Sequence, residues 1–347
     1  MLGAIYAALG ALTFALNNAA MRRGVITGTV MQGMAVTVPI GALTFLVMAI
    51  ASGTLGEMRL FPPAALLWLA GQGVVHFVLG RFCNYKSSQL MGVNLSAPVV
   101  QLQVVVAILL AVLTMNETFT VLQGVGSVMM LAGSLAVQRN SSGEQGGQGA
   151  GSLSGRDELL SDIAAPEPPR PARFQPKLLS GYLFALAAAF FYGASPLMAR
   201  QGFLLAPTAS TSAGGCVAYL AATAFFGLML IHQPTWRSVA AVKLDNIGWF
   251  LSSAVLVAIS QGFVYASLAL APLLVVTPIL QLSLIFRIFL SQMMNKEHEV
   301  MNSAVIVGAA TAVLGSILVS LDTDFLVTAL QVPMLLGDAL AYRLTGS

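Results

Sequence analysis

Three ionisable side chains fall within or near otherwise apolar stretches of this sequence: His76, Arg81 and Arg287. Charge is expensive in hydrocarbon, so each is a candidate functional group if those stretches lie in lipid. Arg287 sits a turn or two past the middle of its stretch, where snorkelling competes with function. Arg81 is close to the end of its stretch and reads more simply as an anchor at the membrane surface. His76 is nearer the centre, where substrate contact, proton handling and an interhelical hydrogen bond are all open. The acidic residues are the informative absence. All 13 of them, Glu57, Glu117 and Glu297 included, fall in loops, turns or tails. Exchange of protons for lipophilic cations needs a carboxylate inside the membrane, and this sequence supplies none.

Neutral polar residues come in matched pairs. Gln101 follows Pro98 by three residues, and Gln281 follows Pro278 by three. A proline inside a spanning helix frees a carbonyl, tolerable where the helix borders protein or a watered cavity. The two glutamines are therefore expected to face each other across a central cavity, with helix–helix hydrogen bonding as the competing role. Gln103 and Ser283 point to a neighbouring face. Tyr85 and Tyr265 close the third helix of each half and read equally as gates or as aromatic-belt anchors. Asn17 and Asn18 in one first helix match Tyr192 and Ser195 in the other, and are too polar for a lipid face. Glu117 and Glu297 are placed to cap the helix that follows, for about 0.3–1 kcal/mol.

These pairs belong to an internal repeat. Ser96–Glu117 and Val276–Glu297 align at an offset of 180, placing Pro98 on Pro278 and Glu117 on Glu297. The offset is 178 near the start (Gly3 with Gly181, Arg22 with Arg200) and 182 near the end (Gly126 with Gly308, Gly133 with Gly315). Drifts of two residues are what loop insertions produce, so half the chain is built twice.

With 57% hydrophobic residues, 8% charged and mean hydropathy +0.84, lipid is the solvent for most of the chain. The net charge of +3 is too small and scattered for nucleic acid. Cys83 and Cys216 give neither a disulfide framework nor a metal spacing. No cleavable signal peptide is visible. Ten apolar spans follow from hydropathy and length, and lipid forces each to be helical. The expected organisation is a five-helix repeat over 1–138 and a Gly/Ser/Pro-rich flexible linker over 139–177. A second five-helix repeat covers 178–321, and a tail over 322–347 has room for an interfacial helix. The fold class is an all-α integral membrane protein. Five crossings per copy is odd, so joined copies enter the bilayer from opposite sides as inverted repeats with a cavity between them.

The pattern Tyr85, Pro98, Glu117, Gly126, Gly133 and its second copy Tyr265, Pro278, Glu297, Gly308, Gly315 resembles the drug/metabolite transporter superfamily, in its ten-helix EamA-type branch. Two departures stand out: the basic Gly80–Lys86 segment, and a loop between the second and third spans with Arg59 as its one basic residue. The resemblance implies a secondary transporter with both termini cytoplasmic, and suggests export. Charge counting implies the opposite orientation, since twelve basic residues follow odd-numbered spans and three follow even-numbered ones. The lining then expected is Gln101, Gln281, Asn17, Asn18, His76, Tyr85, Tyr265, Tyr192, Ser195 and Arg287. It is neutral-polar to basic and suits an amino acid or a carboxylate-bearing metabolite. No catalytic set, cofactor or metal site is expected, which speaks against an enzyme or a primary pump. The partners are a small-molecule substrate and the bilayer of the cell (inner or plasma) membrane. Glycine faces on the fifth and tenth helices suit an internal scaffold or a homodimer contact. The competing readings are a lipophilic-cation exporter and a non-transporting scaffold or sensor.

Overall fold

The computed structural model describes residues 2–115, 119–133, 136, 175–270, 279–280, 282–295, 302–320 and 343–345, and nearly all of them are helical. Helix α1 (Leu2–Thr27) and α2 (Val30–Ala51) are followed by a 3-10 turn at Leu55–Leu60. A continuous rod comes next: α3 (Pro63–Gly73), a π-helical segment (Val74–Gly80) and α4 (Arg81–Met91). Then come α5 (Val93–Val100), α6 (Gln103–Met115) and α7 (Val121–Gly133). The second half holds α8 (Leu178–Leu204), α9 (Thr211–Leu230), the short α10 (Gln233–Ala240) and α11 (Leu244–Leu270). It continues with α12 (Ser283–Asn295) and α13 (Ser303–Ser320). A two-residue strand, Phe119–Thr120, pairs antiparallel with Arg343–Thr345. Among the described residues, six helices are long and apolar enough to cross a membrane: Leu2–Thr27, Val30–Ala51, Pro63–Met91, Leu178–Leu204, Ser212–Leu230 and Leu244–Val264. Most of the linker, the expected tail helix, Glu117, Pro278, Gln281 and Glu297 lie outside the described residues.

Two helices run beyond their apolar stretches, which end near Ala20 and Phe82. The first helix continues to Thr27 because Arg22 is buried within the protein, its Nη1 donating to the Gln89 carbonyl at 2.9 Å. The third continues to Met91 because Asn84, Ser87 and Ser88 turn inward among protein neighbours. Arg22 and Arg81 are therefore interior groups and not topology markers, which removes two of the residues that set the expected orientation.

Small residues bring the helices together. Ala7, Ala11, Ala15 and Ala19 form a fully buried stripe at a spacing of four, one face of α1. On this helix Ser260 Oγ donates to the Gly10 carbonyl at 2.9 Å, and Ser253 Oγ to Asn17 Oδ1 at 2.5 Å. As α1 is followed upward in number α11 runs downward, so the two are antiparallel. Within the first half, Asn18 meets Asn84 and Arg22 meets Gln89, so α1 and α4 run parallel. In α8, Ser195 meets His76 and Gly202 meets Leu69, so α8 runs against the same rod. The first helices of the two halves thus point in opposite directions. Helices α7 and α13 add an antiparallel contact. A Cβ on Gly133 would strike the Gly308 backbone, and one on Gly315 the Gly126 carbonyl at 2.5 Å. Leucine, isoleucine and phenylalanine side chains such as Leu67, Leu113, Leu183 and Phe289 point outward, as a lipid-facing surface requires.

The helix ends are tied across the halves in a reciprocal way. The turn after α1 reaches the α10–α11 region, where Thr27 Oγ1 donates to Asn246 Oδ1 and Gln32 Nε2 to the Ser238 carbonyl, each at 2.7 Å. The turn before α9 reaches the 3-10 turn of the first half. There Glu57 Oε2 accepts from the Ser210 N–H at 2.7 Å, and Thr54 meets Ser212 at 2.8 Å. Hydrogen bonds from the Ser210 hydroxyl and N–H hold the Glu57 carboxyl below its ordinary value of 4.5. A depressed carboxylate stabilises above its unfolded value and loses that contribution as pH falls through the folded one.

Two outcomes follow from this packing. Gly133→Val should cost about 1–3 kcal/mol in detergent thermal unfolding. Gly227→Val, with nothing within 4 Å of its added Cβ, should stay within about 0.5 kcal/mol. Glu57→Gln should lower the melting temperature near neutral pH, and the gap should close as pH falls through and below the ordinary carboxylate range.

Candidate functional site

Tyr219 of α9, fully buried, organises the charged wall of the interior. Gly41 on α2 makes room for it, because a Cβ there would strike the edge of the ring. Phe45 stacks on the ring at 5.1 Å and Phe77 at 3.6 Å. The Tyr219 hydroxyl accepts from Arg81 Nη2 at 3.2 Å, and the guanidinium lies 5.3 Å from the Phe77 centroid and 5.8 Å from that of Tyr219. Each such cation–π contact is worth about 0.5–2 kcal/mol, below the several kcal/mol that burying a charge costs. Aromatic faces also leave in-plane N–H groups unused. Arg81 Nη1 has no hydrogen-bond partner among the described residues. Arg287 of α12 repeats the arrangement, 5.2 Å from the Phe14 centroid and with its Nε unpartnered there. Both arginines are 4% exposed.

Both border one cavity of about 170 Å³. The first half contributes Asn17 from α1, His76 from the π-helical segment, Asn84 and Tyr85 from α4, and Gln103 from α6. The second half contributes Tyr192 from α8 and Gln261 from α11. Among the described residues, no carboxylate lines it. The π-helical segment sets the wall's shape by widening one turn, a feature common where helices serve sites. Glycines flank it for a steric reason. A Cβ on Gly73 would strike the Ala218 carbonyl, and one on Gly80 would come 2.8 Å from the Tyr192 ring. His76 is held from outside the cavity: its Nδ1 is 2.9 Å from Ser195 Oγ, which accepts from Gln72 Nε2 at 3.0 Å. Its ring packs on Tyr192 at 4.7 Å between centroids.

Of the residues expected from sequence, Asn17, His76, Tyr85, Tyr192 and Arg287 meet at this cavity. Asn18 and Ser195 stand behind it, Asn18 accepting from Asn84 at 3.5 Å and Ser195 bonding His76. Gln101 is a correction. The helix does break at Gln101–Leu102 one turn past Pro98, but the Gln101 amide donates to Ser316 Oγ on α13 at 3.1 Å and does not line the cavity. Leu102 bonds back to the Val99 carbonyl and Leu282 to that of Ile279, the same turn in each copy. Gln281 and the Tyr265 side chain lie outside the described residues. Arg81 is a second correction: it lines the interior and anchors nothing at the surface. Sequence reasoning missed Tyr219, Asn84 and Gln261, and set Gln103, which lines the cavity, on a neighbouring face. The repeat held a signal for Gln261, which stands 180 residues after Arg81.

Ser195→Ala should leave Gln72 and His76 short of a partner and lower stability by about 1–3 kcal/mol. Tyr219→Phe should cost about 1.5–3 kcal/mol by the same measurement, since the hydrogen bond lost is one to a buried guanidinium.

Residues 1–138 match the EamA-like transporter family. No curated protein matches the chain. Twelve chains of solved structures do. One, described only as a crystal structure of a protein, is 16% identical with a TM-score of 0.48, over 94% of this chain and 98% of the other. The apolar six-helix count and the family match agree. This is a multi-pass membrane protein whose residues 1–138 are similar to the EamA-like transporter family.

Proposed function

We propose that the chain is a secondary transporter that moves a small polar metabolite, amino acid or carboxylate-bearing, across the cell membrane. It crosses ten times as two inverted five-helix repeats and exposes its central cavity to each side in turn. The opposed directions of α1 and α8 and the antiparallel α7–α13 contact support inversion. The reciprocal ties at the helix ends support two gates of similar construction. The observation that carries the reading is the cavity itself, walled by polar side chains from both halves and enclosed by lipid-facing helices. Export is the direction the family resemblance implies. A lipophilic cation would meet two buried guanidinium groups there, which disfavours a drug-cation exporter.

Purified protein in liposomes should give saturable flux of labelled small carboxylates or amino acids. Asn84→Leu and Gln103→Leu should each reduce it about tenfold or more, the equivalent of one lost hydrogen bond. Absence of saturable flux for all such compounds, or flux indifferent to both substitutions, would overturn the proposal.

A further inference from the structure

We infer that the cavity takes a compact dianion, one negative charge for each of Arg81 and Arg287, in preference to a zwitterion or a monoanion. The inference rests on reading this cavity as the transport site. Three observations carry it.

The first is charge balance. Two guanidinium groups, each 4% exposed, border the same cavity with no carboxylate in its lining among the described residues. A guanidinium keeps its proton, so the pair presents a fixed double positive charge. The second is donor geometry. Each group is held by aromatic faces, and each keeps an N–H without a hydrogen-bond partner among the described residues, Nη1 of Arg81 and Nε of Arg287. Planar guanidinium edges match carboxylate and phosphate oxygens two by two.

The third is the way the repeat treats the two positions. One aromatic pair of the cavity wall is doubled: Phe14 corresponds to Tyr192 at an offset of 178, and both line it. The charges are not. At an offset of 180, Arg81 corresponds to Gln261, which lines the same cavity, and Arg287 corresponds to Ala107. A cation required by the five-helix unit would be required in both copies. One present in a single copy answers to what the cavity holds.

Size narrows the class. At roughly 30 Å³ for each water displaced, 170 Å³ has room for about six waters, or a chain of about four carbons ending in two acid groups. An α-amino acid of that size would bring an ammonium towards the two cations, where repulsion offsets what its carboxylate gains. The shared chemistry is that of a short dicarboxylate or a small phosphomonoester.

The test is equilibrium binding to the full-length protein in detergent, by calorimetry and thermal shift. The probes are succinate, glycerol phosphate, acetate and serine. Succinate or glycerol phosphate should bind at least about tenfold more tightly than acetate or serine. Whichever of the two binds more tightly identifies the acid group. Arg81→Gln and Arg287→Gln should each weaken the dianion about 10- to 100-fold and bring it level with acetate. Arg81→Lys and Arg287→Lys should recover part of the loss. Without ligand, the Arg287→Gln protein should melt no lower than the parent, because a lone buried charge is removed and no pair is broken. Equal affinity for succinate and serine would overturn the inference, as would dianion binding untouched by either Gln variant. A fall in ligand-free stability of Arg287→Gln would do so too, since it would reveal a structural counter-ion. Binding is read separately from flux: dianion binding without flux sinks the transport reading alone, and serine flux without dianion binding sinks this inference alone.

Discussion

Everything in the interior depends on how a lipid-enclosed protein tolerates two positive charges with no acid beside them among the described residues. Desolvating a charge costs several kcal/mol, and aromatic stacking returns only part of that. The remainder is met by architecture. Gly41 admits Tyr219, Tyr219 and Phe77 flatten the Arg81 guanidinium, and Phe14 does the same for Arg287. These contacts fix the planes of the two groups and leave edge N–H donors aside. The amides of Asn17, Asn84, Gln103 and Gln261 complete a lining rich in donors and poor in negative charge.

Helix direction supplies the second half of the mechanism. Helices α1 and α4 run together, α8 runs against that rod, and α7 meets α13 head to tail through reciprocal glycines. Each contact uses small residues where backbones approach, because in lipid close packing replaces the hydrophobic drive that assembles soluble helices. Side-chain hydrogen bonds then tie the helix ends across the halves. One set is wholly neutral, and the other contains Glu57.

Much of this was legible in the sequence, and the failures have physical causes. Hydropathy located the long helices because lipid demands long apolar runs. Arg287 stood out because the three residues on either side of it are apolar. Arg81 was misread because the apolar run stops near Phe82, while the helix continues through Asn84, Ser87 and Ser88 into protein and not into water. Hydropathy cannot separate a polar segment buried among helices from one that has reached the surface. Pro98 correctly implied a break beside Gln101, but which neighbour takes the amide depends on where α13 lies, and no local pattern encodes that. Tyr219 was invisible for the same reason, since its role is defined by Gly41 and Arg81, each more than a hundred residues away in sequence.

Alternation of one cavity between the two membrane faces is tested most directly by thiol access from each side. Val257→Cys, on the cavity wall, would be made in a protein with Cys83 and Cys216 replaced by serine, and treated with a membrane-impermeant thiol reagent. Alternating access predicts labelling from either face of oriented vesicles, with a saturating ligand altering both rates. Labelling from one face only, whatever ligand is present, would contradict it.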